Sequence, residues 1–274
     1  MPAFSLFQMV VAGPSVTGRG SHAVQVSLPV TLAILFCASI WAGAQNALAG
    51  GGSFITLPSL MLTGMDARAA NITSTIALFP AQVATGWTGR KFVSGAADLS
   101  FALIAGISLA GGAVGALLLL VTPADFFARL VPWLVLFATA VFAWGSFGPK
   151  KDSTARLNRW GVMAAQFLIS IYGGYFGGGI GFLMLAALSA AGLVIRIAGA
   201  TKNVLAAIMN ASAVAIFVFS PEVRWLQAAV CSAGAIGGGV LGGVMLMRVN
   251  ERALRVAVIV LGVALTIGLF VHSP

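Results

Sequence analysis

Apolar runs of about twenty residues follow one another from Ser27 to Val271, and this succession leaves the chain very few architectures. Each crossing of a bilayer takes about 20 predominantly apolar residues. The runs are Ser27–Ala49, Ser53–Thr63, Ala69–Gly89, Leu99–Val121, Leu130–Phe147, Trp160–Phe176, Ile180–Ala191, Ala198–Phe219, Trp225–Met247 and Leu254–Val271. Charged residues are only 8% of the chain, where soluble domains carry about 25%, so a water-facing surface could not be covered. The expectation is an all-α polytopic membrane protein with almost nothing left for a soluble domain. Residues 1–26 form an N-terminal extension; with no basic residue ahead of its apolar stretch Phe7–Ala12, it does not read as a cleaved signal peptide.

Two of the runs, Ser53–Thr63 and Ile180–Ala191, are too short to span as helices. Each follows a glycine cluster, Gly50-Gly51-Gly52 in one case and Gly177-Gly178-Gly179 in the other. A broken helix is tolerated at membrane depth only where it is buried in protein or lines a cavity. Each short run therefore reads as the return arm of a hairpin that reaches the midplane.

The two halves repeat. At a constant offset of 128, Gly50, Gly51, Phe54, Leu57, Leu60 and Gly64 fall on Gly178, Gly179, Phe182, Leu185, Leu188 and Gly192. The same offset carries Arg68 to Arg196, Thr73 to Thr201, Gly106 to Gly234, Gly111 to Gly239 and Gly115 to Gly243. A register without gaps across five segments implies an internal duplication, with membrane repeats at 27–148 and 160–274 and a linker at 149–159.

Basic residues concentrate in cytoplasmic loops. Arg90-Lys91, the linker with Lys150, Lys151, Arg156 and Arg159, and the segments holding Arg196 and Arg248, Arg252, Arg255 go inside. The loops with Asp125 and Arg129, with Glu222 and Arg224, and with Asp66–Arg68 go outside. Arg68 and its repeat mate Arg196 then lie on opposite sides, which requires an odd number of segments per repeat. Two inverted five-segment repeats follow, and inverted repeats with interrupted helices mark transporters.

A glycine break leading into a helix leaves backbone N–H groups and a positive dipole end free for an anion. On this reading Gly50, Gly51 and Gly52 face Gly177, Gly178 and Gly179 across the midplane; the alternative is that such glycines only let helices pack closely, as Gly111xxxGly115 and Gly239xxxGly243 do, and for Gly173xxxGly177xxxGly181 the two readings compete directly. After each hairpin comes a polar cluster, Asn71, Thr73, Ser74, Thr75 in one half and Thr201, Lys202, Asn203 in the other. Two helical turns on, Gln82 and Asn210 match at the same offset, placing an amide at the same depth in each repeat. Such amides either bind substrate or bond helices together. Asn46 either joins them or caps the break. Lys202, whose repeat mate is Ser74, is either a site cation or a lysine snorkelling to the cytoplasm.

Catalytic constellations are missing. The histidines, His22 and His272, sit at the two chain ends, and no acid lies in mid-membrane. A metal centre, a His-based triad and a carboxylate proton relay are therefore not expected, nor is a cofactor. Cys37 and Cys231 both read as small buried hydrophobes. The net charge of +9 is accounted for by loop lysines and arginines, not by nucleic acid as a partner.

The run Gly50-Gly51-Gly52-Ser53-Phe54-Ile55-Thr56-Leu57-Pro58-Ser59-Leu60, followed by Gly64, Ala69 and Thr73-Ser74, resembles the TauE/SafE family of sulfite-exporter-like permeases. So does Gly177-Gly178-Gly179 through Gly192 and Ala200-Thr201-Lys202-Asn203, and the likeness extends over both halves. One departure is Ala186, which stands where the first repeat has Pro58. The resemblance implies a bacterial inner-membrane transporter of sulfite, sulfonates such as taurine or sulfoacetate, or related small organic anions. The expected partners are that anion and the lipid bilayer; direction, coupling ion and oligomeric state have no signature here. Export by alternating access is the reading adopted, with an anion channel, or an importer of sulfonates or carboxylates, as the alternatives.

Overall fold

The structure, a computed structural model, describes residues 27–48, 50–147, 157–245 and 251–272; the N-terminal extension, linker residues 149–156 and Arg248 lie outside these. Ten α-helices follow in order: α1 Leu28–Leu48, α2 Ser53–Met61, α3 Ala67–Gly89, α4 Phe101–Val121, α5 Ala124–Phe147, α6 Arg159–Tyr175, α7 Ile180–Ala190, α8 Ile195–Phe217, α9 Trp225–Met245 and α10 Glu251–His272. A short 3₁₀ turn at Arg90–Phe92 ends α3. There is no β-strand among the described residues.

Four helices, α1, α4, α5 and α8, are long and apolar enough to cross a bilayer. Their outer faces expose large apolar side chains, such as Val121 at 76%. Exposed Trp87, Trp144, Trp160 and Trp225 sit at helix ends, where the amphipathic indole suits the membrane interface. The helix starts are capped from the sequence: Asp66 accepts from the N–H groups of Arg68 and Ala69 at 3.0 Å, and Asn158 accepts from Gly161 N–H at 2.8 Å. Hydroxyls within the helices turn back to their own carbonyls, as Thr75 does to Asn71 and Thr85 to Ala81, both at 2.9 Å. That leaves them satisfied without water.

The short arms α2 and α7 have 9 and 11 residues. At 1.5 Å per residue each covers about half of the ~30 Å hydrocarbon core. Both fold back on the helix before them and lean on the helix after.

Glycines set the tightest contacts. A methyl group on Gly43 of α1 would sit 2.0 Å from Ala235 O of α9, and one on Gly238 would sit 1.8 Å from Ile40 O. The pair α4 and α6 meets the same way, Gly115 against Ile171 O at 2.1 Å and Gly174 against Gly112 O at 2.2 Å. Gly111 and Gly115 therefore pack as expected. On α9 Gly234 and Gly238 make close contacts with α1, while Gly239 makes ordinary 3.9 Å contacts with Ala81 and Gly43; the surroundings of Gly243, the other glycine of the expected Gly239xxxGly243 pair, lie outside the described residues.

These contacts also fix chain direction. Along α3 and α8, Gln82 meets Asn210, Gly86 meets Ala207 and Gly89 meets Ala200, so the two run antiparallel. So do α5 and α10, through Trp133 with Phe270 and Thr139 with Gly262. By contrast α1 with α9, α4 with α6, and α3 with α9 (Ala77 with Ser232, Ala81 with Gly239) run parallel.

Three expectations change. Asp125 and Arg129 are not in a loop but in the first turns of α5, which starts six residues ahead of Leu130. Phe127 N–H donates to Pro123 O at 3.0 Å, and Asp125 offsets the positive end of the helix. Arg68 and Arg196 likewise belong to the first turns of α3 and α8. Cys231 is buried, but Cys37 is exposed on α1, on a surface where lipid replaces water.

The glycine contacts predict a sharp contrast. Gly115→Leu and Gly238→Leu, which drive a side chain into backbone, should lower the melting temperature in detergent by roughly 5 °C or more, or prevent purification. Gly106→Leu and Gly237→Leu, with nothing within 4 Å, should purify and melt like the parent.

Candidate substrate-binding site

The two glycine breaks touch. Gly50 (φ +82°), Gly51 (φ +85°), Gly177 (φ +79°) and Gly179 (φ +73°) hold left-handed backbone that only glycine adopts without strain. A methyl group on Gly50 would sit 3.3 Å from Cα of Gly181 and 4.0 Å from Nζ of Lys202. Ser53 Oγ donates to Gly177 O across the junction at 3.4 Å. Gly50 N–H reaches Gln45 O and Asn46 O, both at 3.2 Å, and Gly177 N–H reaches Tyr172 O at 3.4 Å; the next N–H groups with a backbone acceptor are those of Phe54, at 3.0 Å from Gly51 O, and Phe182, at 3.1 Å from Gly179 O. The N–H groups between, from Gly51 to Ser53 and from Gly178 to Gly181, are the unpaired donors of the two helix starts.

Beside this junction lies a cavity of about 30 Å³, room for one or two water-sized groups. Gly50, Gly51 and Asn46 line it from the first break, and Gly177, Ile180 and Gly181 from the second. Gln82 and Thr85 of α3 and Lys202, Asn203 and Ala206 of α8 close the remainder. Lys202 is buried, 7% exposed, and its ammonium donates to Asn203 Oδ1 at 3.0 Å. No carboxylate pairs with it among the described residues. A lysine snorkelling out of the protein would not be enclosed in this way.

At the floor of the cavity Asn210 Nδ2 donates to Gln82 Oε1. These residues are 128 positions apart, so matching amides of the two halves meet where α3 crosses α8. Asn210 Oδ1 is left without a partner.

The structure thus gathers Asn46, Gly51, Gln82, Lys202 and Asn203 around one space, with Asn210 one hydrogen bond away. The other expected residues are engaged elsewhere. Thr73 accepts from Arg224 N–H at 3.2 Å and Thr201 from Ser94 N–H at 3.1 Å, so both anchor a loop of the opposite half. Ser74 is bonded to Thr56, and Thr75 to its own helix. Gly52 packs under Ala42 O, 2.6 Å from where its Cβ would be. Gly178 lies against the Phe176 ring, and Gly179, the left-handed cap of α7, against Ala138.

Gly50 and Gly177 belong to the glycine clusters already read as facing an anion; sequence reasoning passed over Thr85, Ile180, Gly181 and Ala206. Helical spacing carried a signal for two of them: Thr85 is three residues past Gln82, and Ala206 four past Lys202. Gly181 was read as a packing glycine, and it does pack against Gly50 while lining the cavity.

The site predicts an unusual stability effect. A buried cation without a carboxylate costs desolvation energy that nothing in the chain offsets. Lys202→Met should raise the anion-free melting temperature, by about 2–4 °C for each kcal/mol relieved. A lower melting temperature would mean that the ammonium already has its counter-charge.

The sulfite exporter TauE/SafE family model matches residues 35–269. The chain is 32% identical to a probable membrane transporter protein of Haemophilus influenzae over 242 residues, covering 86% of this chain and 92% of that one. It is 28% identical to a probable membrane transporter protein of Sinorhizobium, over 87% of this chain and 92% of that one, and 26% identical to the probable membrane transporter protein YfcA of Escherichia coli, over 89% and 91%. No solved structure matches. With both glycine breaks and the cavity between them inside the matched region, the chain belongs to the TauE/SafE sulfite exporter family of multi-pass membrane transporters.

Proposed function

We propose that this protein exports a small anion, sulfite or a sulfonate such as sulfoacetate, across the bacterial inner membrane by alternating access. The observation that carries this reading is the buried Lys202 ammonium, without a carboxylate, beside two glycine breaks that each lead into a helix start. Cation, helix starts and the amides of Asn46, Gln82 and Asn203 together form a donor-rich surround for one anion. Lys202, Asn203, Asn46, Gln82, Gly51 and Asn210 are the residues proposed to hold it, with Gly50, Thr85 and Gly177 completing the wall. The relatives' description as probable membrane transporters agrees with transport, and the absence of titratable pairs at the cavity gives no support to catalysis.

Two inverted repeats, 27–148 and 160–274, joined by a cytoplasmic linker at 149–159, are the proposed frame. Antiparallel α3 and α8, meeting at equivalent residues Gln82 and Asn210, are what a two-fold axis in the membrane plane produces; so are the antiparallel α5 and α10 and the matching pairs α1–α9 and α6–α4. Charge sets the orientation. The Arg68 end balances Arg68, Arg129 and Arg224 with Asp66, Asp125 and Glu222, whereas the other end carries Arg90, Lys91, Arg159, Arg196, Arg252 and Arg255 against Asp98 and Glu251 among the described residues. The basic end is assigned to the cytoplasm. Thr85, Lys202 and Ala206 place the cavity on that side of the Gln82–Asn210 crossing. A cytoplasm-negative potential of 100 mV then adds about 2.3 kcal/mol per negative charge leaving.

The purified protein should melt higher in the presence of at least one of sulfite, thiosulfate, sulfate, taurine, sulfoacetate and short carboxylates. Lys202→Gln should weaken that binding by roughly 1.5–3 kcal/mol. An unchanged melting temperature with every anion, or full affinity in Lys202→Gln, would remove the proposed site.

A further inference from the structure

The two ends of the α3–α8 pair are built alike and fastened differently. At each end a threonine of one half accepts an N–H from a loop of the other, Thr73 from Arg224 and Thr201 from Ser94. Counted back from these anchored N–H groups, Glu222 and Phe92 occupy the same place, two residues earlier. An arginine at equivalent positions meets each: Arg68 reaches Glu222 through both Nε, at 3.0 Å, and Nη2, while Arg196 lies over the Phe92 ring with 5.4 Å between guanidinium and centroid. Arg68 also donates through Nη1 to Thr122 O at the end of α4. Arg68–Glu222 is the ion pair among the described residues, and it joins the two halves.

The half-sites differ in the same sense. Lys202 and Asn203 line the cavity. On the Arg68 side Ser74, the mate of Lys202, is 1% exposed and bonded to Thr56; Thr75, the mate of Asn203, is half-buried and bonded to Asn71 O; and Leu78, the mate of Ala206, is 2% exposed. One side holds a cavity beside the crossing; on the other, Ser74 and Leu78 are packed in beneath the ion pair.

We infer that Arg68 and Glu222 form the latch of the extracellular gate, and that Arg196 on Phe92 is its weaker cytoplasmic counterpart, so the resting carrier stands with its site toward the cytoplasm. A bidentate, charge-assisted pair holds more firmly than an exposed guanidinium on a ring. Opening the outer half-site separates Arg68 from Glu222, and the two-fold relation then collapses the inner half-site. An exporter biased in this way is poised to load from the cytoplasm. This inference rests on the alternating access proposed above, and its test reads accessibility without transport, so the two can fail separately.

Two single-cysteine reporters serve, Ser74→Cys for the outer half-site and Thr85→Cys for the inner, each in a Cys37→Ser, Cys231→Ala background. They are labelled with an impermeant thiol reagent from one face at a time in oriented vesicles. Glu222→Gln should speed outside labelling of the Ser74→Cys reporter roughly two- to fivefold and slow inside labelling of the Thr85→Cys reporter. Phe92→Glu, which gives Arg196 a carboxylate, should shift both in the same direction. The exchange Arg68→Glu with Glu222→Arg should return both to parent rates. With no latch substitution at all, raising external salt from about 0.01 M to 1 M, which cuts the screening length from about 30 to about 3 Å, should speed outside labelling in the parent and not in Glu222→Gln. Labelling indifferent to salt and to Glu222→Gln, or a charge exchange that behaves like the single substitutions, would overturn the latch. These labelling shifts in a protein that binds none of the anions would keep the latch and discard the substrate.

Discussion

A helix interrupted inside a bilayer strands backbone N–H and C=O groups that lipid cannot satisfy, and the rest of this structure answers that constraint. Two chain breaks at Gly50–Gly52 and Gly177–Gly179 are held against each other, enclosed by α1, α3, α6 and α8. Neither break could sit at a lipid face. Each needs left-handed backbone, hence glycine, and each needs partners close enough to exclude hydrocarbon. The hairpin arms, the backbone-to-backbone glycine contacts of α1 with α9 and α4 with α6, and the crossing at Gln82 and Asn210 bring that enclosure about. A space beside two helix starts, with a buried ammonium in its wall, is then a natural place for an anion.

Lys202 gives the space its sign. Ser74, 128 positions earlier, is neutral and tied to Thr56, so the two-fold frame proposed above would carry a one-sided charge. The ends of the frame are one-sided too, with Glu222 where the other end has Phe92. Under the proposed alternating access, near-symmetric repeats would make the two accessible states nearly equal in energy, and small asymmetries of this kind would decide which is populated. Function on this account resides in the differences between the repeats as much as in their likeness.

Much of the frame was legible in the sequence, because the offset of 128 survives in the helices themselves. Helix α3, Ala67–Gly89, maps onto α8, Ile195–Phe217, residue for residue at both ends. The breaks and the amide pair were legible for the same reason. Individual roles were less so. Nothing in the sequence distinguishes a threonine that binds substrate from one that anchors a loop, and Thr73 and Thr201 do the latter. Hydropathy alone hid the first turns of α5, since Asp125 and Arg129 read as loop although a helix start in the interface welcomes an acid. Nor could composition say which face of α1 meets lipid, so Cys37 was put inside. The Arg68–Glu222 pair, 154 residues apart, had no local signature at all.

Counterflow tests the central claim most directly. Proteoliposomes loaded with unlabelled sulfite, or whichever anion of the panel binds best, are diluted into a trace of the labelled anion with the membrane potential clamped at zero. A carrier with one site exposed alternately to each side predicts transient accumulation of label above the equilibrium level, saturating with internal anion. Label that merely equilibrates, at a rate linear in concentration and indifferent to internal anion, would contradict alternating access and make the cavity part of a pore.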